Sequence, residues 1–441
     1  MAEKCRSCGT CRSVCPIFDE VGNECGTARG KVSLVRAVLD GDLEISAIFD
    51  DRIQLCLNCK ACIDACPNDV RVDDLVLAAR SGLVEAGRLP FLKRLIFRQL
   101  LRRGRLLPPV GRLASFFQRF VLRGLPKESA FRALLPAAGI DRDRTFPDFA
   151  PRSFIETTPE MLRPAGPLAD VSGGSGGASG GDAEPGADER ARIAREAGRV
   201  AYFVGCATNL LYPETGRAVA DALRRSGVTV VVPKGQVCCG TPVFNAGDFV
   251  TARELARKNI EVLEDANVDA VITACASGGL ALKREYEELL GIEGGVGIPV
   301  FDVTEFLALR GAFSAAVGAS ATGRTLRVTY HDPCHLARGQ GVRDEPRAIL
   351  RSLPGVEFVE MREADRCCGG AGTFSLTHYD VAKSIGEKKM AAVRDAHVDV
   401  VVTVCPSCVM QLRDMTAQHG VDVQVMHLAD LVAAVREGRG W

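Results

Sequence analysis

Beyond residue 200 the chain settles into short apolar runs separated by longer amphipathic stretches. AYFVG (201–205), VTVVV (228–232) and DAVIT (269–273) are runs of strand length, and RVTYH (327–331), VEFVE (356–360) and DVVVT (399–403) repeat the order. Strand-length apolar runs alternating with helical stretches predict buried, largely parallel strands in two similar α/β units. Each unit closes alike, VFDVTEFL (300–307) matching VMHLADLV (425–432). Before residue 80 the pattern is different. Val32, Leu34, Val35 and Val38 recur at helical spacing within 31–39, which predicts a small helical domain.

Between these regions Leu113, Phe116, Phe117, Phe120 and Val121 fall on one helical face, with Arg112, Arg119 and Arg123 elsewhere. Two short amphipathic helices separated by Pro108 and Pro109 are expected. Although the net charge is zero, residues 91–132 hold eleven Lys and Arg against one acid, Glu128. A basic amphipathic stretch rich in phenylalanine fits a membrane surface or a partner subunit. Nucleic acid is not expected as a partner, because no recognised nucleic-acid fold accompanies the charge. The stretch 164–190 contains SGGSGGASGGD and almost no large apolar side chain, so it reads as a flexible tether. The expected division is a small helical domain (1–80), a basic helical connector (81–163), the Gly/Ser linker (164–190), a first α/β unit (196–310) and a second (311–441).

With 441 residues, 47% hydrophobic and 25% charged, the chain can bury full-sized cores. Its eighteen cysteines would suggest disulfides in a secreted protein, but MAEKCRSCG has no apolar signal core and no 18-residue uncharged apolar run occurs. A reducing cytosol, with cysteines spent on metal, is expected.

The cysteine pattern supports metal directly. Cys5-x2-Cys8-x2-Cys11-x3-Cys15-Pro16 recurs as Cys56-x2-Cys59-x2-Cys62-x3-Cys66-Pro67, displaced by 51 residues. This is the bacterial ferredoxin spacing for cubane [4Fe-4S] clusters, in which the fourth cysteine reaches the neighbouring cube. Cys5, Cys8, Cys11 and Cys66 would therefore serve one cluster, and Cys56, Cys59, Cys62 and Cys15 the other. Zinc is disfavoured, since structural zinc sites are built from separated Cys-x2-Cys pairs. In the α/β units the cysteines fall at strand ends. The first unit carries Cys206, Cys238-Cys239-Gly240 and Cys275-Ala-Ser-Gly278; the second carries Cys334, Cys367-Cys368-Gly369 and Cys405-Pro-Ser-Cys408. Vicinal cysteines place two thiolates on one turn, and single cysteines beyond other strand ends can converge on it.

At these residues the chain resembles the CCG-domain family of heterodisulfide reductase subunits, glycolate and D-lactate dehydrogenase iron–sulfur subunits, and the third subunit of anaerobic glycerol-3-phosphate dehydrogenase. The order of the modules, with ARGKVSLVRA (28–37) and HDPCHLARGQ (331–340), is most similar to the glycolate or D-lactate dehydrogenase subunit. The resemblance implies an α+β multidomain fold: a helical ferredoxin-like domain with two [4Fe-4S] clusters, then a duplicated α/β CCG domain. It also implies a noncubane [4Fe-4S] cluster on Cys334, Cys367, Cys368, Cys405 and Cys408. The first copy departs from the pattern, with Gly278 in place of the fifth cysteine. Its Cys206, Cys238, Cys239 and Cys275 suit a simpler cluster, zinc, or no metal.

Oxidation of a 2-hydroxy acid removes two electrons as hydride, whereas cubane clusters pass electrons singly, so a flavin or nicotinamide must stand between. No G-x-G-x-x-G or P-loop follows a candidate strand. An FAD-containing dehydrogenase subunit is therefore the expected partner, with a quinone or another carrier as acceptor. The expected location is cytoplasmic, peripheral on the inner face of the membrane. The rival functions are a catalytic disulfide reductase acting at the Cys334–Cys408 site, an anaerobic glycerol-3-phosphate dehydrogenase subunit, and a non-enzymatic zinc-bound scaffold. Cys25 reads as an ordinary thiol. His335 is the candidate to tune the Cys334 cluster, while Asp332 and Pro333 aim Cys334. His331 flanks Cys334 as well, and His378, His397, His419 and His427 show no metal-ligand spacing.

Overall fold

The computed structural model describes residues 2–118, 144–165, 187–312 and 325–438. Arg119, Phe120, Val121, Arg123 and most of the expected tether lie outside the described residues.

Nine described strands form two sheets. The first contains β1 (Met161–Leu162), β2 (Arg199–Phe203), β3 (Thr229–Val231), β4 (Ala270–Thr273) and β5 (Val300–Asp302), in the order β1-β3-β2-β4-β5. The second contains β6 (Leu326–Tyr330), β7 (Val356–Phe358), β8 (Val400–Thr403) and β9 (Gln424–His427), in the order β7-β6-β8-β9. Apart from β1, which pairs antiparallel with β3, every pairing is parallel and the two orders match strand for strand. The inner strands are mostly apolar because helices cover both faces. On β2, Val200 and Tyr202 enter one core while Ala201 and Phe203 enter the other. On β8, Val400 and Val402 oppose Val401 in the same way. Each such valine or phenylalanine contributes about 1.5–3 kcal/mol when fully buried.

The N-terminal region is helical. The Ala28–Leu39 helix, capped by Thr27 accepting from the Gly30 amide at 3.0 Å, packs on the Val72–Glu85 helix. Val32, Val35, Phe49, Ile53, Val76 and Leu83 form their core. Arg80 locks this region onto the first α/β unit. Its buried guanidinium donates to the carbonyls of Ile53 (3.2 Å), Gln54 (3.1 Å), Cys56 (2.8 Å) and Asn245 (2.8 Å).

The connector departs from expectation in three respects. Pro108 and Pro109 do not separate its helices; they occupy the first turn of the Leu107–Phe117 helix, where a missing N–H costs nothing. Three of its arginines are also ion-paired: Arg98 with Asp248 (2.9 Å), Arg102 with Glu254 (2.9 Å) and Arg112 with Glu156 (3.3 Å). Met161–Leu162, inside the expected helical connector, instead adds an edge strand to the first sheet.

Candidate metal centre

None of the eighteen cysteines forms a disulfide. In the N-terminal region Cys5, Cys8, Cys11 and Cys66 line one cavity of about 30 Å³, which Cys62 also touches. Cys15, Cys56, Cys59 and Cys62 line a second of about 40 Å³. The tertiary fold thus brings the fourth cysteine of each run to the first three of the other. The second cavity also receives the buried Lys31, whose ammonium donates to the Gly26 carbonyl at 2.6 Å.

In each α/β unit the cysteines sit at the carboxyl ends of the two adjacent central strands, where the strand order reverses and open α/β sheets place their ligands. Cys206 opens a helix after β2, and Cys275 ends the turn after β4. Cys334 and Cys405 repeat this after β6 and β8. The vicinal pairs close the set, and Gly369 explains the glycine that follows them. At φ 87° its missing side chain leaves room for the Ala382 carbonyl, which a Cβ would approach to 2.4 Å.

The two units do not keep separate sites. Cys206, Cys239, Cys275, Cys334, Cys367, Cys368, Cys405 and Cys408 all line one cavity of about 140 Å³, leaving only Cys238 of the CCG cysteines behind its wall. The Cys275 thiol hydrogen-bonds to Cys405 across the pseudo-symmetric junction. Leu57, which lines both this cavity and that of Cys56, stands between them. Cys59 packs in the same apolar cluster as Cys367.

The electrostatics of these thiols suit a bound cation. Burial, with the Cys367 thiol next to it, pushes Cys59 up to about 12, and burial raises Cys15 and Cys62. A hydrogen bond to Cys367 and burial raise Cys334. Hydrogen bonds from neighbouring thiols lower others: Cys238 brings Cys239 down to about 7, Cys408 lowers Cys368, and Cys275 lowers Cys405. Protons are thus shared among crowded sulfurs. Full deprotonation requires positive charge between them, as iron supplies.

The histidine facing the sulfurs is His331. Its ring nitrogen lies with the Cys368 and Cys408 sulfurs inside a 4.8 Å group, and it is one of the groups that lower the Cys368 thiol. His335 instead meets the Asn58 carbonyl at 3.0 Å, and burial brings it down to about 4, so its imidazole is neutral. Asp332 is gripped by Arg347 at 2.9 and 2.6 Å, which orders the turn ahead of Cys334. His427 caps its helix by accepting from Ala429 and donates to the Ala274 carbonyl of the first unit. His378 stacks on Phe374. Cys25 lines none of the three cysteine cavities.

Comparison with known proteins agrees with this geometry. A 4Fe-4S dicluster domain model matches residues 1–70, and a cysteine-rich domain model matches 200–283 and 328–413. The chain belongs to the CCG-domain iron–sulfur proteins, with two copies of that domain behind a dicluster module, and is an oxidoreductase component. A probable glycolate oxidase iron–sulfur subunit of Bacillus subtilis is 29% identical over 97% of this chain and 92% of its own length. A dihydromethanophenazine:CoB–CoM heterodisulfide reductase component of Methanosarcina acetivorans is 26% identical over 98% and 93%. A component of the CoM/CoB fumarate reductase of Methanothermobacter marburgensis is 40% identical over 53% of this chain, which spans only 46% of that relative.

Proposed function

We propose that this chain is the electron-transfer subunit of a flavin-dependent 2-hydroxy-acid dehydrogenase, taking electrons from an FAD-containing partner and delivering them to a quinone or another carrier. The observation that carries the reading is the continuous file of cysteine cavities, in which Leu57 stands between the Cys56 cavity and the shared CCG cavity. Such a file suits one-electron relay, the chemistry that bound clusters supply. Cys5, Cys8, Cys11 and Cys66 would hold the outer cubane, with Cys8 exposed toward a donor. Cys56, Cys59, Cys62 and Cys15 would hold the inner one. Cys334, Cys367, Cys368, Cys405 and Cys408 would hold a noncubane cluster, and Cys206, Cys238, Cys239 and Cys275 a simpler metal site. Lys31 and Arg80 place positive charge beside the inner cubane ligands, and Leu57 keeps water from the space between cavities.

The test is anaerobic purification with metal analysis, then reduction by the candidate flavoprotein with glycolate or D-lactate. About twelve irons per chain, four for each of the three clusters, and substrate-dependent bleaching are expected. Zinc with little iron would overturn the cluster assignment. Full bleaching by dithionite but none through any 2-hydroxy-acid flavoprotein would overturn the relay assignment.

A disulfide reductase is the second reading, favoured by the shared cysteine-lined cavity and by the whole-length likeness to a heterodisulfide reductase component. It predicts that a disulfide substrate, and not a quinone, reoxidises the reduced protein. Among the described residues no helix is long and apolar enough to cross a membrane. Peripheral attachment is proposed to run through the exposed Phe91, Leu95 and Leu113 with neighbouring Arg94 and Arg103, each basic residue adding about 1 kcal/mol near an anionic surface. Flotation with anionic vesicles, lost in Arg94→Glu/Arg103→Glu, tests it.

A further inference from the structure

We propose that the buried Lys389 ammonium is the charge partner of the five-cysteine site, and that neutral Asn259 at the matching position suits the first unit to a site with one thiolate fewer. The inference rests on the reading of the second site as a cluster site.

The two residues occupy one position of the repeat. Lys389 is the eleventh residue of the Tyr379–Ala396 helix and Asn259 the eleventh of Phe249–Glu264, each helix following its Cys-Cys-Gly turn. Both are completely buried. Each side chain braces the loop that leads into the vicinal cysteines. Asn259 accepts from the Val237 amide (2.8 Å) and donates to the Cys238 carbonyl (3.1 Å). Lys389 donates to the carbonyls of Glu363 (2.6 Å) and Ala364 (3.2 Å).

Bracing alone does not call for a charge, because a neutral amide performs it in the first unit. An ammonium taken out of water is strongly unfavourable unless an anion compensates it. Among the described residues Lys389 forms no ion pair. The acids whose charge reaches it are already engaged: Asp332 by Arg347, and Asp365 by Arg338 at 2.7 Å. Cys367 and Cys368 remain. Burial pulls Lys389 down to about 8, and among the groups that push it back up the Cys368 thiolate comes first.

The neighbouring positions vary in step. Three residues before the strand-end cysteine the second unit has His331, beside the Cys368 and Cys408 sulfurs, where the first has Phe203. Three residues beyond the next strand-end cysteine the second has Cys408 where the first has Gly278. The unit that gains a thiolate also gains the ammonium.

The experiment is an EPR-monitored redox titration of the full chain, wild type against Lys389→Gln. Glutamine removes the charge while keeping an N–H donor on a chain one bond shorter. At fixed potential the reduced-to-oxidised ratio of the second-site cluster should fall at least about tenfold, a midpoint about 59 mV more negative for one electron. The cubane midpoints should not move. An unmoved second-site midpoint would overturn the inference. If Lys389→Gln loses that cluster altogether, Cys408→Gly/Lys389→Asn, which recreates the first unit's charge set, should hold more second-site iron than Lys389→Gln. Equal loss in both would overturn the inference. Wild-type iron content is measured first. About eight irons per chain would overturn the cluster reading itself, whereas a third cluster that ignores Lys389 overturns only this proposal.

Discussion

Replacing Arg80 by methionine tests how the N-terminal region is fastened to the rest of the chain. Methionine fills similar volume, so the loss falls on polar contacts. Four carbonyls, those of Ile53, Gln54, Cys56 and Asn245, lose their donor inside a buried interface. An orphaned buried acceptor costs about 1–3 kcal/mol, and relief of the arginine's own desolvation offsets part of the sum. Burial lowers the pKa of Arg80 and the Cys56 thiolate pushes it back, so some of its charge is compensated by a neighbouring sulfur. A net loss of about 3–5 kcal/mol follows, the range for breaking a buried charged arrangement. With urea slopes of about 1–3 kcal/mol per molar, the unfolding midpoint read from cluster absorbance should fall by more than about 1 M. Arg80→Lys should recover only part of it, since an ammonium cannot present the planar fork that spans four acceptors. A midpoint within about 0.3 M of wild type for Arg80→Met, or complete rescue by lysine, would refute the reasoning.

The crossover of the ferredoxin motifs predicts that Cys66→Ser perturbs the EPR signal of the cluster on Cys5, Cys8 and Cys11, whereas Cys15→Ser perturbs the other; the reverse pattern would refute the cavity assignment. Gly369→Ala combines left-handed strain of about 1–2 kcal/mol with a 2.4 Å clash on the Ala382 carbonyl, and should lower the thermal midpoint and strip second-site iron. Gly240→Ala has the same φ of 87° but its nearest contact is 3.7 Å, so it should cost only the strain; equal losses in the two variants would show that the close approach is unimportant. Cys408→Ser should alter the second-site spectrum while the cubane signals persist, and an unchanged spectrum would remove Cys408 from the ligand set.

Much of the architecture was legible because it is written in periodicities that survive without tertiary information. Strands buried on both faces read as continuous apolar runs, and each of the six runs near 201–403 contains its strand to within a residue or two at the ends. The cysteine spacings were legible for a similar reason, since a cluster corner demands ligands two residues apart. What escaped depends on proximity across the chain. β1 is only two residues long and carries no pattern. Nothing local to Cys275 or Cys405 says that they meet across the junction, so the merging of both CCG sites into one cavity stayed hidden. His335 was the expected ring beside sulfur, but the turn after β6 turns it to the Asn58 carbonyl and gives that place to His331. Lys31 and Lys389 did leave a signal. Lys389 falls among Ala382, Ile385, Gly386, Met390 and Val393 on the buried face of its helix, a charge where the period demands an apolar residue. Such a break is a request for an anion nearby.

The degenerate first unit supplies the sharpest contrast between room and charge. A side chain at Gly278 meets only ordinary contacts, 3.6 Å to the Cys275 Cβ and 3.8 Å to its sulfur, and the glycine has no left-handed φ that would strain a cysteine. Gly278→Cys should therefore fold with a thermal midpoint close to wild type. Sterics alone would then let it complete a five-thiolate site like that of Cys334 to Cys408. Charge argues otherwise. Asn259 stands where the second unit has Lys389, and Phe203 where it has His331, so a fifth thiolate would enter without either compensating group. Crowded buried thiols already hold protons tightly here, as Cys238 and Cys275 do under their neighbours' influence. The added thiol should remain protonated, and iron per chain and the visible spectrum should match wild type. If Gly278→Cys instead gained iron and a second signal identical to that of the complete site, room would be the limiting factor, and the matched differences at 203, 259 and 278 would lose their electrostatic explanation.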